Sequence, residues 1–436
     1  MLQRLDVRGV TDLDGRLPRP VVDGDEPVAA VREIIDDVRR RGDAAVADLT
    51  ERFDGWRGEM RVPAERLRRA LESIDPATRA AIEFARDRID AFHRHQLPAP
   101  TRYEEPGTLI ESYSRPVDRV GCYVPGGRAA YPSTLLMTVV PARVAGVEEV
   151  VVCVPASPGS GAVAEVTLAA AAVAGVDELY AVGGAQAIAA MAYGTETIRA
   201  VDVICGPGNR YVAIAKREVA GAVGVASAFA GPSEVVVIAD GSVDPRLVAI
   251  DVILQAEHGP DGLAWLVCWD EAVADAVCEA IAQLVEVAPR RADITATLES
   301  AGHAVVCDGP DQAIDVANLI APEHLELMCE SPERLLPAVA NAGAIFCGPW
   351  SPASIGDYVA GPSHVLPTHG SARFSSALTV GDFLKHHHVV TIDEEGFARL
   401  APHVEALAAA EGLDAHAESV RLRRAAISSA SPGAAS

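Results

Sequence analysis

Lysine is nearly absent from this chain. Lys216 and Lys385 are its only lysines, so arginine supplies the other 35 of the 37 basic side chains. With the excess of alanine and valine, this reads as genome composition bias and carries no functional message. Aromatic residues make up only 5%, which leaves the cores to alanine, valine, leucine and isoleucine. Positive charge is in deficit too: the formal net charge is −24. Phosphate backbones are held by basic patches, so this balance argues against a nucleic-acid partner and against an anionic membrane surface. An anionic cofactor is still allowed, because backbone N–H groups at helix starts can hold it locally. No Cys-x-x-Cys occurs. The eight cysteines stand singly, several inside apolar runs such as V-V-V-C-V and W-L-V-C-W. That usage points to buried, reduced thiols. The N-terminus M-L-Q-R-L-D-V-R lacks the apolar stretch of a signal peptide, and no apolar run is long enough to span a bilayer. The expectation is a soluble, cytoplasmic protein.

What the chain does have is length and hydrophobicity. Its 436 residues are 49% hydrophobic, enough for about two to four domains. Residues 26 to 95 are helical in pattern. E-P-V-A-A-V-R-E-I-I-D-D-V-R-R-R begins with acid and ends with arginine, as the helix dipole favours. Pro76 opens another helix through Phe92. From Ser112 the character changes to short β-rich runs that stop at glycines. V-G-C-Y-V-P-G-G ends at Gly127, and V-V-V-C-V-P runs into Gly159 and Gly161. E-L-Y-A-V-G-G-A-Q ends at Gln186, and V-D-V-I-C-G-P-G-N ends at Asn209. Helical pattern follows most of them, which predicts an α/β fold with a parallel, helix-covered sheet. Ligands in such sheets bind beyond the carboxyl ends of the strands. S-E-V-V-V-I-A-D, L-A-W-L-V-C-W-D, H-A-V-V-C-D and A-G-A-I-F-C-G predict a second α/β unit. From residue 382 the pattern turns helical, and a disordered tail is expected from about residue 428. The predicted divisions are 1–110, 111–232, 233–381 and 382–436.

Chemistry concentrates in a few strings. The glycine loops of the first unit suit either a nucleotide or ordinary tight turns; Gly206 and Gly208 form only the first half of a dinucleotide fingerprint. Gln255 and His258, three apart near a predicted helix end, share a face and make half a metal site or a structural pair. Asp357 follows the strand around A-I-F-C-G and is expected near the sheet's carboxyl end. His416 is far along the chain. An amide, two imidazoles and a carboxylate suit zinc. In A-P-E-H-L-E-L, Glu323 stands beside His324 just after Pro322. Proline favours a first helical turn. Both residues are therefore expected at a helix N-terminus, which would lower the pKa of His324 and keep it a neutral base. The alternative is a capping acid beside a surface histidine. The run His386, His387, His388 reads as solvated or packing.

Taken together, G-G-A-Q-A-I-A-A, C-G-P-G-N, A-G-P-S-E, Q-A-E-H-G-P-D, A-P-E-H-L-E, G-D-Y-V-A-G-P-S-H-V-L-P-T and A-A-E-G-L-D-A-H-A resemble the histidinol dehydrogenase family, in order and spacing over nearly the whole chain. The resemblance implies two incomplete Rossmann-like parallel-sheet domains in a homodimer with swapped segments. It implies an N-terminal helical region packed on the second α/β domain and a C-terminal segment that completes the partner's site. The implied activity is oxidation of L-histidinol to L-histidine through histidinaldehyde, with two NAD and one zinc per site. Carried over by position, Gln255, His258, Asp357 and His416 would hold zinc, with His416 from the partner. Glu323 and His324 would be the catalytic pair. Ser233, His364 and Glu411 would contact substrate, as would His324 and the metal ligands. Tyr123, Gln186 and Asn209 would contact NAD. Ser363 departs from the asparagine common beside His364. Three rivals stay open: a dehydrogenase for another small alcohol, a zinc hydrolase, and a non-catalytic nucleotide-binding protein.

Overall fold

In this computed structural model, residues 1–18, 27–126, 129–157, 161–226, 233–258 and 262–430 are described. The expected turn residues Gly127 and Gly159, and the tail beyond Ala430, lie outside them. Helix continues to Ala430, so residues 428–430 belong to a helix where a disordered tail was expected.

The N-terminal stretch supplies strand β1 (Gln3–Asp6), helices α1 (Val28–Arg41) and α2 (Asp43–Asp54), strand β2 (Arg61–Val62), and helices α3 (Ala64–Ser73) and α4 (Pro76–Arg94). Helix α4 starts where proline predicts. Asp75 caps it by accepting from Ala77 and Thr78 N–H groups, and Pro76 needs no partner at the first position. Strands β3 (Thr101–Glu105) and β4 (Thr108–Pro116) follow.

The first α/β layer then runs β5 (Arg119–Tyr123), α5 (Pro132–Ala145), β6 (Glu149–Cys153), α6 (Glu165–Ala174), β7 (Glu178–Tyr180), α7 (Gly184–Tyr193), β8 (Val203–Cys205), α8 (Arg210–Val219) and β9 (Gly224–Val225). The second runs β10 (Glu234–Ala239), α9 (Pro245–Leu254), β11 (Leu263–Cys268), α10 (Glu271–Val287), α11 (Arg291–Ala301), β12 (Gly302–Val306), α12 (Pro310–Ile320), β13 (His324–Met328), β14 (Ala344–Cys347) and α13 (Ala353–Tyr358). Strand β15 (Leu384–Ile392) and helices α14 (Glu394–Glu411) and α15 (Asp414–Ala430) end the described chain.

The two sheets share one topology. Their orders are β2-β7-β6-β5-β8-β9 and β1-β12-β11-β10-β13-β14. Taken in chain order, the five parallel strands of each read 3-2-1-4-5, the doubly wound dinucleotide order without its sixth strand. The N-terminal stretch adds one edge strand to each: β2 antiparallel on β7, and β1 parallel on β12. Strands β10 and β11 are buried throughout and mostly apolar because helices cover both faces.

The N-terminal helices were expected on the second α/β domain, but they pack on the first. Val31, Ile35, Val38 and Val46 of α1 and α2 share a core with Ile188, Met191 and Val212 of α7 and α8. On the sheet's other side α3 packs on α6 and α4 on α5. Only β1 joins the second sheet. The reason is area: α7 and α8 present an alanine-rich surface that the aliphatic stripe of α1 covers.

The chain divides into two compact units. One holds residues 1–97 and 117–383, with both parallel sheets; the other holds 98–116 and 384–436. The second unit is not purely helical. Its antiparallel sheet, β15-β4-β3, contains the three histidines, exposed on β15, with His387 stacked on Tyr113 and His386 bonded to Ser114 at 2.9 Å. Helices α14 and α15 pack together, tied by Arg424–Glu405 at 2.8 Å. All eight cysteines are unpaired and six are buried, and among the described residues no helix is long and apolar enough to cross a membrane.

In the second unit Gly107, with φ 71°, lies against the start of α14, and a Cβ on Gly396 would collide with the Gly107 carbonyl. Gly396→Ala is expected to destabilise this unit by about 1–3 kcal/mol. Hydrogen exchange of β15 and α14 amides checks it.

Candidate active site

Helix α12 ends at Ala321, which adopts φ 51° as a left-handed cap. Pro322 follows because it cannot continue the helix. It therefore terminates one helix and does not open another, and Glu323 and His324 lie at the start of strand β13, not at a helix N-terminus. Gly343 makes room for this: a Cβ there would lie 2.6 Å from the Glu323 carbonyl.

In the sheet, His324 stands opposite Val235 of β10 and Ala344 of β14. Its Nδ1 lies 3.0 Å from the Glu234 carbonyl. A carbonyl only accepts, so Nδ1 carries the hydrogen and the neutral ring offers its lone pair at Nε2. Nε2 faces Asp357 Oδ1 at 3.4 Å. While the ring is neutral both atoms are acceptors; a proton on Nε2 lets it donate to Asp357. Glu323 lies alongside, its Oε2 accepting the Glu234 N–H at 3.0 Å and standing 3.6 Å from His324 Nδ1. Burial opposes charge on His324, but the Glu323 and Asp357 carboxylates outweigh it and hold the imidazole up to about 9. The expected lowering by a helix end is thus reversed, since there is no helix end. Burial pushes Glu323 up to about 7, against the pull of His324.

Asp357 belongs to α13, and its carbonyl accepts from His364 Nδ1 at 2.8 Å. His364 Nε2 lies 3.1 Å from Thr134 Oγ1 of α5, so this histidine bridges the two sheets' layers. Ser363, the departure noted above, donates to the Met137 carbonyl at 3.1 Å and so anchors the same loop to α5. Gln255 caps the end of α9, and a short 3-10 turn runs from Ala256 to His258, whose side chain lies outside the description. A Cβ on Gly262 would lie 3.3 Å from the Gln255 carbonyl and 3.4 Å from the Ser233 carbonyl, which is where these two backbones meet. Tyr358 lies within electrostatic reach of both Asp357 and Glu257, bringing the turn and α13 into one neighbourhood. Ser233, His324 and Glu323 all stand at the amino ends of β10 and β13. Asp357, expected near the sheet's carboxyl end, turns back to the opposite end.

The donor chemistry fits a borderline cation. Gln255 is buried and its Nε2 has no partner. Among the described residues no three His, Cys, Asp or Glu form a metal cluster. The expected set contains one amide, and the His258 side chain is outside the description. Glu411, the last residue of α14, and His416, in α15, are both exposed and belong to the other compact unit.

The nucleotide candidates lie at the carboxyl ends of the first sheet. The Tyr123 hydroxyl, at the end of β5, accepts the N–H of Gly184 at 3.1 Å, in the first turn of α7. Gln186 is buried, and neither atom of its amide has a partner. Asn209 caps α8 through bonds of 3.0 and 3.1 Å from Tyr211 and Val212 N–H. Gly206, at φ 103°, passes so close to the Tyr123 carbonyl that no side chain fits. Lys216 is fully buried and donates to the Gly206 carbonyl at 2.8 Å; burial lowers its pKa to about 8. The second sheet's carboxyl ends lead instead into Asp240, Asp270, Asp308 and Glu330. An anionic cofactor therefore suits the first sheet and is repelled by the second.

A family model for histidinol dehydrogenase matches residues 17–424. The chain belongs to the histidinol dehydrogenase family. It is therefore an oxidoreductase. Among its relatives, the histidinol dehydrogenase of Parasynechococcus marenigrum is 51% identical over 392 residues, 89% of each chain. That of Pseudomonas aeruginosa is 47% identical over 416 residues, 94% of each. The crystal structure of histidinol dehydrogenase from Elizabethkingia anophelis superposes with a TM-score of 0.93 at 32% identity, covering 98% of this chain and 99% of that one.

Sequence reading missed several residues of this family member's site. Glu234, Asp251 and Glu326 are buried acids, and His369 adopts φ 52° while its N–H bonds Glu234 Oε1 at 2.9 Å. The available signal was an acid inside an apolar run, as in S-E-V-V-V-I, A-I-D-V-I-L and H-L-E-L-M.

In metal-free protein the His324 imidazole is expected to titrate near 9. Removing a facing carboxylate favours the neutral ring, so Glu323→Gln should lower that midpoint. Histidine NMR across a pH series reads both.

Proposed function

We propose that this chain is a zinc-dependent histidinol dehydrogenase. It would carry out the four-electron oxidation of L-histidinol to L-histidine through L-histidinaldehyde, with two NAD, in histidine biosynthesis. The observation that carries the reading is His324: a ring with its hydrogen fixed on Nδ1 and its basic Nε2 turned toward Asp357, beside a second buried base.

Gln255, His258 and Asp357 would hold the zinc, with His416 supplied by the partner subunit. When bound, zinc orients the amino alcohol and polarises it. Tyr123, Gln186 and Asn209 would hold NAD, which when bound would supply the hydride acceptor. The orphan amide of Gln186 supports that placement, because a buried amide without partners is costly until a ligand supplies them. His324 takes the alcohol proton at Nε2 as hydride leaves carbon. Glu323 then takes a proton from water as its oxygen adds to the aldehyde. The hydrate is again an alcohol, so His324 serves the second oxidation. One water oxygen enters and two hydrides leave, so the carboxylate product balances. Ser233, His364 and Glu411 would hold the substrate, Glu411 from the partner.

A homodimer with swapped segments would let Glu411 and His416, both exposed, reach the partner's site.

The test is histidinol-dependent NADH formation. Two NADH per histidinol, lost with a chelator and regained with zinc, are expected; zinc-independent turnover or one NADH would overturn the reading. His324→Ala should lower turnover by about 10²–10⁴-fold, and a loss of only a few-fold would refute its role as base. Verified heterodimers of His258→Ala and His416→Ala protomers place both lesions in one site. They should recover about half the parent activity per dimer, whereas no recovery argues against a shared site.

A further inference from the structure

Two acids that the proposed chemistry does not use lie beneath the site. Glu326 is 1% exposed and Asp251 5%. Glu326 is two residues after His324 on β13, so both side chains leave the same face of the strand. Asp251 is on α9, one turn before Gln255. The two carboxyl groups are within hydrogen-bonding reach of each other. Ionised carboxylates only accept, so that bond exists only when the pair shares a proton. With both ionised, Glu326 Oε2 is a buried atom without a partner. The other oxygen, Oε1, accepts the N–H of Ala353 at 3.0 Å. Ala353 opens α13, one turn before Asp357.

Three elements thus meet at one carboxyl group. Strand β13 carries His324, α9 ends at Gln255 and α13 carries Asp357. Each of these residues lies two positions or one helical turn from the point of attachment. Val235, Val237, Val248 and Val252 lie in the adjoining core. An apolar pair there would pack without the cost of burying acids. What an apolar pair lacks is direction, since it aims neither a helix start nor a strand.

We propose that the Glu326–Asp251 pair is the positioning element of this site, holding β13, α9 and α13 in the one register at which His324, Gln255 and Asp357 converge. The proposal rests on reading Gln255 and Asp357 as metal ligands and His324 as the base.

The test compares Glu326→Leu, Glu326→Gln and Asp251→Ala with the parent, in the full chain. Zinc affinity is measured by competition with a chromogenic chelator, and amide hydrogen exchange of residues 353–358 is measured without metal. Leucine preserves bulk but ties nothing. Zinc affinity should fall by about 10–100-fold, the scale of lost support behind a metal ligand, and the 353–358 amides should exchange faster while the unfolding midpoint stays near the parent's. Glutamine can still accept from Ala353 and donate to Asp251, so both readouts should return to within a few-fold of the parent. Undisturbed zinc affinity and exchange in Glu326→Leu would overturn the proposal, as would a Glu326→Gln variant as impaired as Glu326→Leu. If Glu326→Leu fails to fold, Asp251→Ala decides: it leaves the Ala353 bond and frees α9, so zinc should weaken, and parent-like affinity refutes the pair's role. A parent that binds no zinc would instead sink the ligand reading, while the exchange comparison still judges the positioning.

Discussion

The bond between His324 Nδ1 and the Glu234 carbonyl, 3.0 Å across neighbouring parallel strands, is the interaction on which the site depends. It settles which ring nitrogen carries hydrogen, and so which one is free to act. It also ties the first residue of β13 to the first of β10, with Glu323 closing on the Glu234 N–H from the same corner. The register beneath it is set by apolar strands packed on both faces. A slip of one residue would turn His324 to the opposite face and replace it with Leu325. The valine-rich core is therefore what aims the imidazole, although no core residue touches the chemistry.

The two halves of the larger unit share a strand order but use opposite ends of their sheets. At the first sheet's carboxyl ends, glycine turns and helix starts surround a buried amide, that of Gln186, without partners, an environment for an anionic, hydrogen-bonding molecule. At the second sheet's carboxyl ends, carboxylates close the crevice: Asp240 already accepts from Ser242 and from the Glu330 N–H. In that half the candidate site lies at the amino ends, where carboxylates raise the pKa of the imidazole and burial raises that of Glu323. Under the proposed function, one architecture would provide a cofactor end and a reaction end at different strand termini.

Much of this was readable in the chain. Short apolar runs predicted both parallel sheets, because a strand covered on both faces must be apolar, and in the first series glycines marked the turns. Pro76 marked the start of α4 for purely local reasons. The failures share a cause as well. Pro322 is compatible with opening a helix and with ending one, and the choice lay with Ala321 and the pull of the sheet on Glu323 and His324. The chain from residue 382 was expected to be helical, but the run around His386 became a strand because β4 was there to pair with it. The aliphatic stripe of α1 predicts a helix against something apolar without saying against which layer.

The sequence by itself determined the family, the two strand–turn–helix series and the residue types available for chemistry, since motif order, periodicity and glycine placement are local properties. Tertiary structure alone decided at which end of the second sheet His324 and Asp357 meet and which nitrogen of His324 is basic. It also decided that Asp251 and Glu326 meet, although they are far apart in the chain. Those outcomes depend on strand register and on burial. A carboxyl group or an imidazole acquires its working character from the charges and the dehydration that folding places around it.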